Sequence, residues 1–146
     1  EQGNANAQYN LGVVLANGES VAKNEAGAAK WFRKAAEQGH AVAQYGLGFF
    51  LATGRGVAKN VVEAAKWYRK AAEQGHAEAQ YNLGAVLAKG QGVAKDEIQA
   101  AKWFREAAEQ GDYKAQYHLG AVLTRGQGVA KDQIQAAKWF RKAAEQ

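Results

Sequence analysis

Ala28-Ala29-Lys30-Trp31-Phe32-Arg33-Lys34-Ala35-Ala36-Glu37-Gln38-Gly39 returns as Ala64 to Gly75, as Ala100 to Gly111, and from Ala136 to Gln146. Each return is displaced by 36 residues, and the four tryptophans, Trp31, Trp67, Trp103 and Trp139, hold the same place in every copy. A fixed period of this size marks an architecture of stacked repeats, in which each unit buries its apolar face against its neighbours. Four units follow, 3–38, 39–74, 75–110 and 111–146, and the last two differ at only eight positions.

Within the quoted stretch, Ala28, Trp31, Phe32, Ala35 and Ala36 fall at i, i+3, i+4, i+7 and i+8, one broad buried stripe of a helix. Asn24, Asn60, Asp96 and Asp132 are the N-cap residues expected to start that helix. Glu63, Gln99 and Gln135 stand three residues on and complete a capping-box pattern, which Gly27 lacks. Arg33 and Glu37 are spaced for an i, i+4 pair. Gly39, Gly75 and Gly111 end the helix.

Outward from it, each unit predicts a first helix, over 5–17, 41–53, 77–89 and 113–125. Asn4, His40, His76 and Asp112 are its expected N-caps, and Gly18, Gly54, Gly90 and Gly126 its C-terminal glycines. Gly12, Gly48, Gly84 and Gly120 lie inside it, where Gly costs about 0.8–1 kcal/mol relative to Ala. A cost kept four times argues for close approach of a neighbouring helix, expected under the bulky Trp. In the loop, Gly56, Gly92 and Gly128 are matched by Ser20, which is strained if that position requires positive φ.

These residues carry a family resemblance. Ala-Gln-Tyr-x-Leu-Gly, Gly-x-Gly-Val, Asp/Asn, Ala-Ala-x-Trp and Ala-Ala-Glu-x-Gly, in four registered copies over essentially the whole chain, resemble the Sel-one-like repeat (SLR) family, a relative of the tetratricopeptide repeats. Periodicity alone gives stacked helical hairpins. The resemblance implies an all-α, right-handed α-solenoid that acts as an adaptor or scaffold, in a family with many bacterial and some exported members.

Composition sets bounds. No run approaches the roughly 18 apolar residues of a membrane span. With no cysteine there is no disulfide or thiolate ligand. The net charge of +5 raises the question of nucleic acid or anionic membrane. Lys30, Arg33, Lys34 and their copies supply eleven of the nineteen basic residues and repeat as an outer, solubilising face. The aromatics belong to the repeat core and no repeated base-reading pair exists, so neither nucleic acid nor membrane is expected as a partner. The chain opens on Glu1-Gln2-Gly3, a copy of Glu37-Gln38-Gly39, and stops at the same phase, which reads as a piece of a longer array or a processed or engineered chain.

Chemistry is poorly provided for. His40 and His76 are equivalent positions one repeat apart, and no two histidines have metal-ligand spacing. Neither a cofactor nor an enzymatic activity is expected.

Comparison of the copies locates what is specific. Asn6/Val42/Glu78/Lys114, Asn10/Gly46/Asn82/His118, Val13/Phe49/Ala85/Ala121 and Asn17/Thr53/Lys89/Arg125 vary at i, i+4, i+7 and i+11 of the first helix. At about 100° per residue they lie within roughly 60° of one another. Stacked copies place these stripes on the inner wall, where repeat proteins usually bind. The expected partner-binding residues are Asn10, Val42, Gly46, Phe49, Thr53, Glu78, Asn82, Lys89, Lys114, His118 and Arg125. Val42 and Phe49 are the apolar anchor, with Phe50 expected to extend the patch. Lys89, Lys114 and Arg125 make the later half basic and suit acidic residues on a protein or peptide partner. End-to-end stacking into oligomers or fibres is the alternative role.

Overall fold

The computed structural model describes residues 3–146. They form eight α-helices and, among the described residues, no strand: α1 (Ala5–Asn17), α2 (Glu25–Glu37), α3 (Ala41–Thr53), α4 (Val61–Glu73), α5 (Ala77–Lys89), α6 (Glu97–Glu109), α7 (Tyr113–Arg125) and α8 (Gln133–Ala144). The chain divides into two compact units, 1–74 and 75–146. In the first, α1 packs on α2, α2 on α3 and α3 on α4; in the second, α5 packs on α6, α6 on α7 and α7 on α8.

The caps follow the sequence. Asn4, Asn24, Asn60, Asp96, Asp112 and Asp132 each accept from the backbone N–H three residues on. His40 does the same through Nδ1 to Ala43 N–H at 3.1 Å. α2 ends in a Schellman motif: His40 N–H donates to Ala35 C=O at 3.1 Å and Gly39 N–H to Ala36 C=O at 3.0 Å, with Gly39 at φ 88°.

The reciprocal half of the capping box is not made. Asn24, Asn60, Asp96 and Asp132 give their own N–H to Leu15, Leu51, Leu87 and Leu123 C=O at 2.8–3.0 Å, carbonyls in the last turn of the first helix that have no donor within the helix. Glu63 is therefore released, and Gly27 gives up no capping bond by lacking a side chain there. Glu63 Oε1 accepts from Arg33 Nη1 at 2.7 Å and from Trp67 Nε1 at 3.3 Å. The expected Arg33–Glu37 pair gives way to this longer-range one, which ties α2 to α4. Those hydrogen bonds, Arg33's first, hold the Glu63 carboxyl below the usual carboxylate range.

The glycines inside the first helices do mark close approach, but the neighbour is the residue after Trp. A Cβ on Gly12 would lie 2.7 Å from the Phe32 ring, on Gly48 2.8 Å from Tyr68, and on Gly84 2.8 Å from Phe104. The loop glycines serve the packing of one repeat on the previous one. A Cβ on Gly56 would collide with the Glu25 carbonyl at the start of α2, and one on Gly128 with that of Glu97 at the start of α6. Ser20 does not adopt positive φ, since every described residue that does is a glycine. Among the described residues no helix precedes α1, so Ser20 has no such neighbour to clear.

Invariant glutamines bind successive hairpins together. Gln44 is 4% exposed, and its Nε2 donates to Ala36 C=O at 3.1 Å, near the end of α2. Its Oε1 accepts from Gln74 Nε2 at 2.7 Å. In the second unit Gln116 donates to Ala108 C=O at 3.2 Å and accepts from Gln146 at 3.0 Å. A buried amide is tolerated because it relieves a helix-end carbonyl that the next hairpin covers. The alanine stripe forms the rest of the core: Ala28, Ala35, Ala71 and Ala107 are almost completely buried. The lysines three residues after Trp are not merely solubilising. The ammonium of Lys34, Lys70 or Lys142 sits 4.3–4.5 Å from the centroid of its indole.

Candidate functional site

The variable stripe runs along α1 and α3 in the first unit. Asn6, Asn10, Asn17, Val42, Phe49 and Thr53 are exposed, and Val13 and Gly46 half-buried. Val42 and Phe49 keep 38% and 36% of their surface open, so two apolar side chains stand in water on one helix face. Phe50 does not extend that patch. It is 4% exposed and packs edge-on against Phe32, centroids 5.2 Å apart. One residue's rotation, about 100°, carries it from the stripe into the contact between hairpins. The Arg55 guanidinium lies 4.8 Å from the Phe50 ring centroid and donates to Glu25 Oε1 from Nε (3.0 Å) and Nη2 (2.7 Å). That bond, before Lys23, lowers the Glu25 pKa. Thr53 spends its hydroxyl on Phe49 C=O at 2.7 Å. Gly46 lies over Phe32, 3.7 Å from where a Cβ would stand.

In the second unit the stripe runs along α5 and α7. Glu78, Lys89, Lys114 and Arg125 are exposed, and Asn82, Ala85, His118 and Ala121 half-buried. Glu78 lies 3.4 Å from His76 Nδ1. The Lys114 ammonium is 5.9 Å from the Tyr113 ring centroid. His118 is the equivalent of Gly46 and fills the space that Gly46 leaves open: its imidazole stacks on Phe104 at 5.3 Å and 20°, with Nε2 3.4 Å from Tyr81 Oη. Burial, then the charges of Lys89 and Arg125, push the His118 pKa down. Burial pushes the Tyr81 phenol up. Both groups are therefore neutral near pH 7.

Lys89, His118 and Arg125 meet at one cavity of about 260 Å³. Its apolar lining is Tyr81, Ala85, Ala88, Ala100, Phe104, Ala121 and Val122, and Lys95, Glu97 and Gln127 complete it. Lys95 pairs with Glu97 at 2.9 Å. Lys89 and Arg125 have no carboxylate within salt-bridge distance among the described residues. The cavity therefore presents two uncompensated cations above an aromatic and aliphatic floor. The sequence pointed to Lys89, His118 and Arg125 but missed Tyr81 and Phe104. Tyr recurs at the place of Tyr81 in every copy, and Phe or Tyr at the place of Phe104, which reads as packing, although Tyr81 lies four residues before Ala85 on the edge of the same stripe.

Among the described residues, no three His, Asp or Glu side chains are grouped to hold a metal ion, and no helix is long and apolar enough to cross a membrane.

The Sel1 repeat model matches residues 5–40, 41–76, 77–112 and 114–146. Solved structures agree. A protective antigen of uropathogenic Escherichia coli displaying an SLR fold is 43% identical with a TM-score of 0.93, over 98% of this chain and 31% of that one. A Sel1 repeat protein from Oxalobacter formigenes is 44% identical with a TM-score of 0.91, over 97% of this chain and 58% of that one. The chain thus spans less than two thirds of either. Cysteine rich protein B of Helicobacter pylori is 26% identical with a TM-score of 0.62, over 78% of this chain and 93% of that one. No curated protein matches. With an all-α repeat fold and all four of its hairpins matched, the chain belongs to the Sel1-repeat family, whose members are generally non-enzymatic protein-interaction scaffolds.

Proposed function

We propose that this chain is a scaffold or adaptor module that captures a protein or peptide on the inner face formed by its first helices. The observation that carries the reading is the exposure of Val42 and Phe49 on the stripe where the copies differ. Exposed aromatics on an otherwise polar face are typical anchors of protein binding. The second unit adds a different chemistry, the basic side chains Lys89, Lys114 and Arg125, which suit acidic residues of a partner. Phe49→Glu tests the reading. Partner capture weakens while the melting temperature moves little; unfolding instead would make Phe49 a core residue and end its role as an anchor.

Assembly is the second reading, and one contrast favours it. Leu11 is 40% exposed, whereas its equivalents Leu47, Leu83 and Leu119 are fully buried. Ala137 and Ala144 are exposed where Ala29, Ala65 and Ala101, and Ala36, Ala72 and Ala108, are buried. A second copy, or further repeats, would cover such faces. Sedimentation that does not change with concentration would remove self-assembly.

A further inference from the structure

The two units treat one groove in opposite ways. In the first, the groove between α1, α2 and α3 is filled from within. The phenyl ring of Phe50 packs edge-on against Phe32, and Arg55 covers that ring while committed to Glu25. In the second, the residue equivalent to Phe50 is Val122 and the one equivalent to Arg55 is Gln127. Phe104 stands where Phe32 stands, and α7 sets the His118 imidazole flat on its face at 5.3 Å, but among the described residues no ring of α7 meets it edge-on as Phe50 meets Phe32; the cavity of about 260 Å³ opens there instead. Asn17 and Thr53 at the mouth of the first groove are replaced by Lys89 and Arg125. The chain itself thus shows which group fits this groove, a phenyl ring. It has removed that ring from the second unit and set two free cations at the edge.

We infer that the cavity between α5, α6 and α7 binds an aromatic side chain that carries a carboxylate within a few bonds of the ring. The ring takes the place that Phe50 occupies in the first unit and lies against Phe104. The carboxylate is held by Lys89 and Arg125 through charge-assisted hydrogen bonds, since neither cation has a competing carboxylate within salt-bridge distance among the described residues. Glu97 does not oppose it, because Lys95 neutralises Glu97 at 2.9 Å. Two sources supply this chemistry: a chain ending in Phe or Tyr, and an internal Phe or Tyr beside Asp or Glu. The inference deepens the partner-binding reading above and rests on it for its biological sense.

The full chain is titrated, under NMR observation of its backbone amides, with N-acetyl-phenylalanine, with N-acetyl-phenylalaninamide, and with the peptide acetyl-Glu-Phe-Glu-amide. The expected result is saturable shifts at Lys89, Ala121, Val122 and Arg125 with the free acid or the Glu-flanked peptide, and at least tenfold weaker binding of the amide. Tighter binding of the free acid identifies a chain terminus, and tighter binding of the peptide an internal acidic motif. Two variants refine this. Val122→Phe restores the first unit's ring and abolishes binding. The double change Lys89→Asn, Arg125→Thr copies the first unit's mouth, leaves the cavity intact, and reduces the preference for the acid over the amide about tenfold. Equal binding of acid and amide overturns the carboxylate assignment. No saturable shift with any probe at millimolar concentration overturns the site. Either failure leaves the Phe49→Glu result on partner capture standing, and a failure of Phe49→Glu leaves these titrations standing.

Discussion

Glu63 of the second repeat accepts a hydrogen bond from Arg33 of the first at 2.7 Å, and the same oxygen accepts from the indole of Trp67 at 3.3 Å. One carboxylate thus joins a helix of one hairpin to a helix of the next and satisfies a Trp N–H. Both charged side chains remain about one third exposed, so the pair itself is worth on the order of 0.5 kcal/mol. A double-mutant cycle of Arg33→Ala and Glu63→Ala by urea unfolding measures that coupling, which shrinks in 1 M salt. Glu63→Ala alone costs more, about 1–2 kcal/mol, because the Trp67 N–H also loses its acceptor. A coupling of zero at low salt would show that the clamp between repeats contributes nothing.

The third repeat lacks that acceptor. Gln99 stands where Glu63 stands, and Trp103 Nε1 is buried with no hydrogen-bond partner. An orphaned buried donor costs about 1–3 kcal/mol, so Gln99→Glu is expected to stabilise the chain by about 1 kcal/mol. Part of any gain is the general benefit of an acid in the first turn of a helix. Gln135→Glu, the same change in α8, measures that part. Equal gains from both would mean that the indole is not rescued.

Gly46 and Gly48, two residues apart in α3, respond oppositely to the same methyl group. Both positions gain up to about 1 kcal/mol of helix propensity on becoming Ala. At Gly46 the new Cβ meets Phe32 at 3.7 Å, an ordinary contact, and the gain survives. At Gly48 it meets the Tyr68 ring at 2.8 Å and Ala64 C=O at 3.3 Å. Overpacking of that kind costs about 1–3 kcal/mol and outweighs the gain. Thermal melts of the two variants should move in opposite directions. A stabilising Gly48→Ala would show that α3 and α4 have room to separate.

Legible in the sequence is whatever depends on short spacing or on the repeat itself. The helix bounds and caps follow from neighbours within about one or two turns, and the stripe of variable residues from copies 36 residues apart. Arg33 and Glu37 share one helix and so suggest a pair; the partner in the fold is Glu63, thirty residues away, which depends on how one hairpin lies on the next. The same separation joins Arg55 to Glu25 and Gln74 to Gln44. At the candidate site the stripe identified Lys89, His118 and Arg125, but not the cavity they share, because its floor is Phe104 from α6. The burial of Phe50 escapes local spacing for a similar reason: it is set by Phe32, on another repeat.

Acid should loosen the second unit through its two half-buried histidines, His76 and His118. His76 caps α5 by accepting Ala79 N–H at Nδ1, at 3.3 Å, and needs that nitrogen unprotonated. Its pKa is lowered, with burial outweighing the opposing charge of Glu78. His118, stacked on Phe104, is lowered by burial and by Lys89 and Arg125. Both groups therefore take up protons less readily folded than unfolded. As pH falls below the ordinary histidine value of about 6.5, the unfolded chain binds protons first, so stability falls with pH from there down to the lowered folded values. Glu25 and Glu63 are also lowered, but their contribution is lost only further down, from the ordinary carboxylate value of about 4.5 through their lowered folded values. The check is urea unfolding at pH 7.5 and 5.5 for the parent chain and for His76→Asn with His118→Gln. Asn keeps a capping acceptor that does not titrate, and Gln removes the second proton site. The parent loses more stability across this interval than the double variant. Equal losses would mean that neither imidazole is held neutral by the fold.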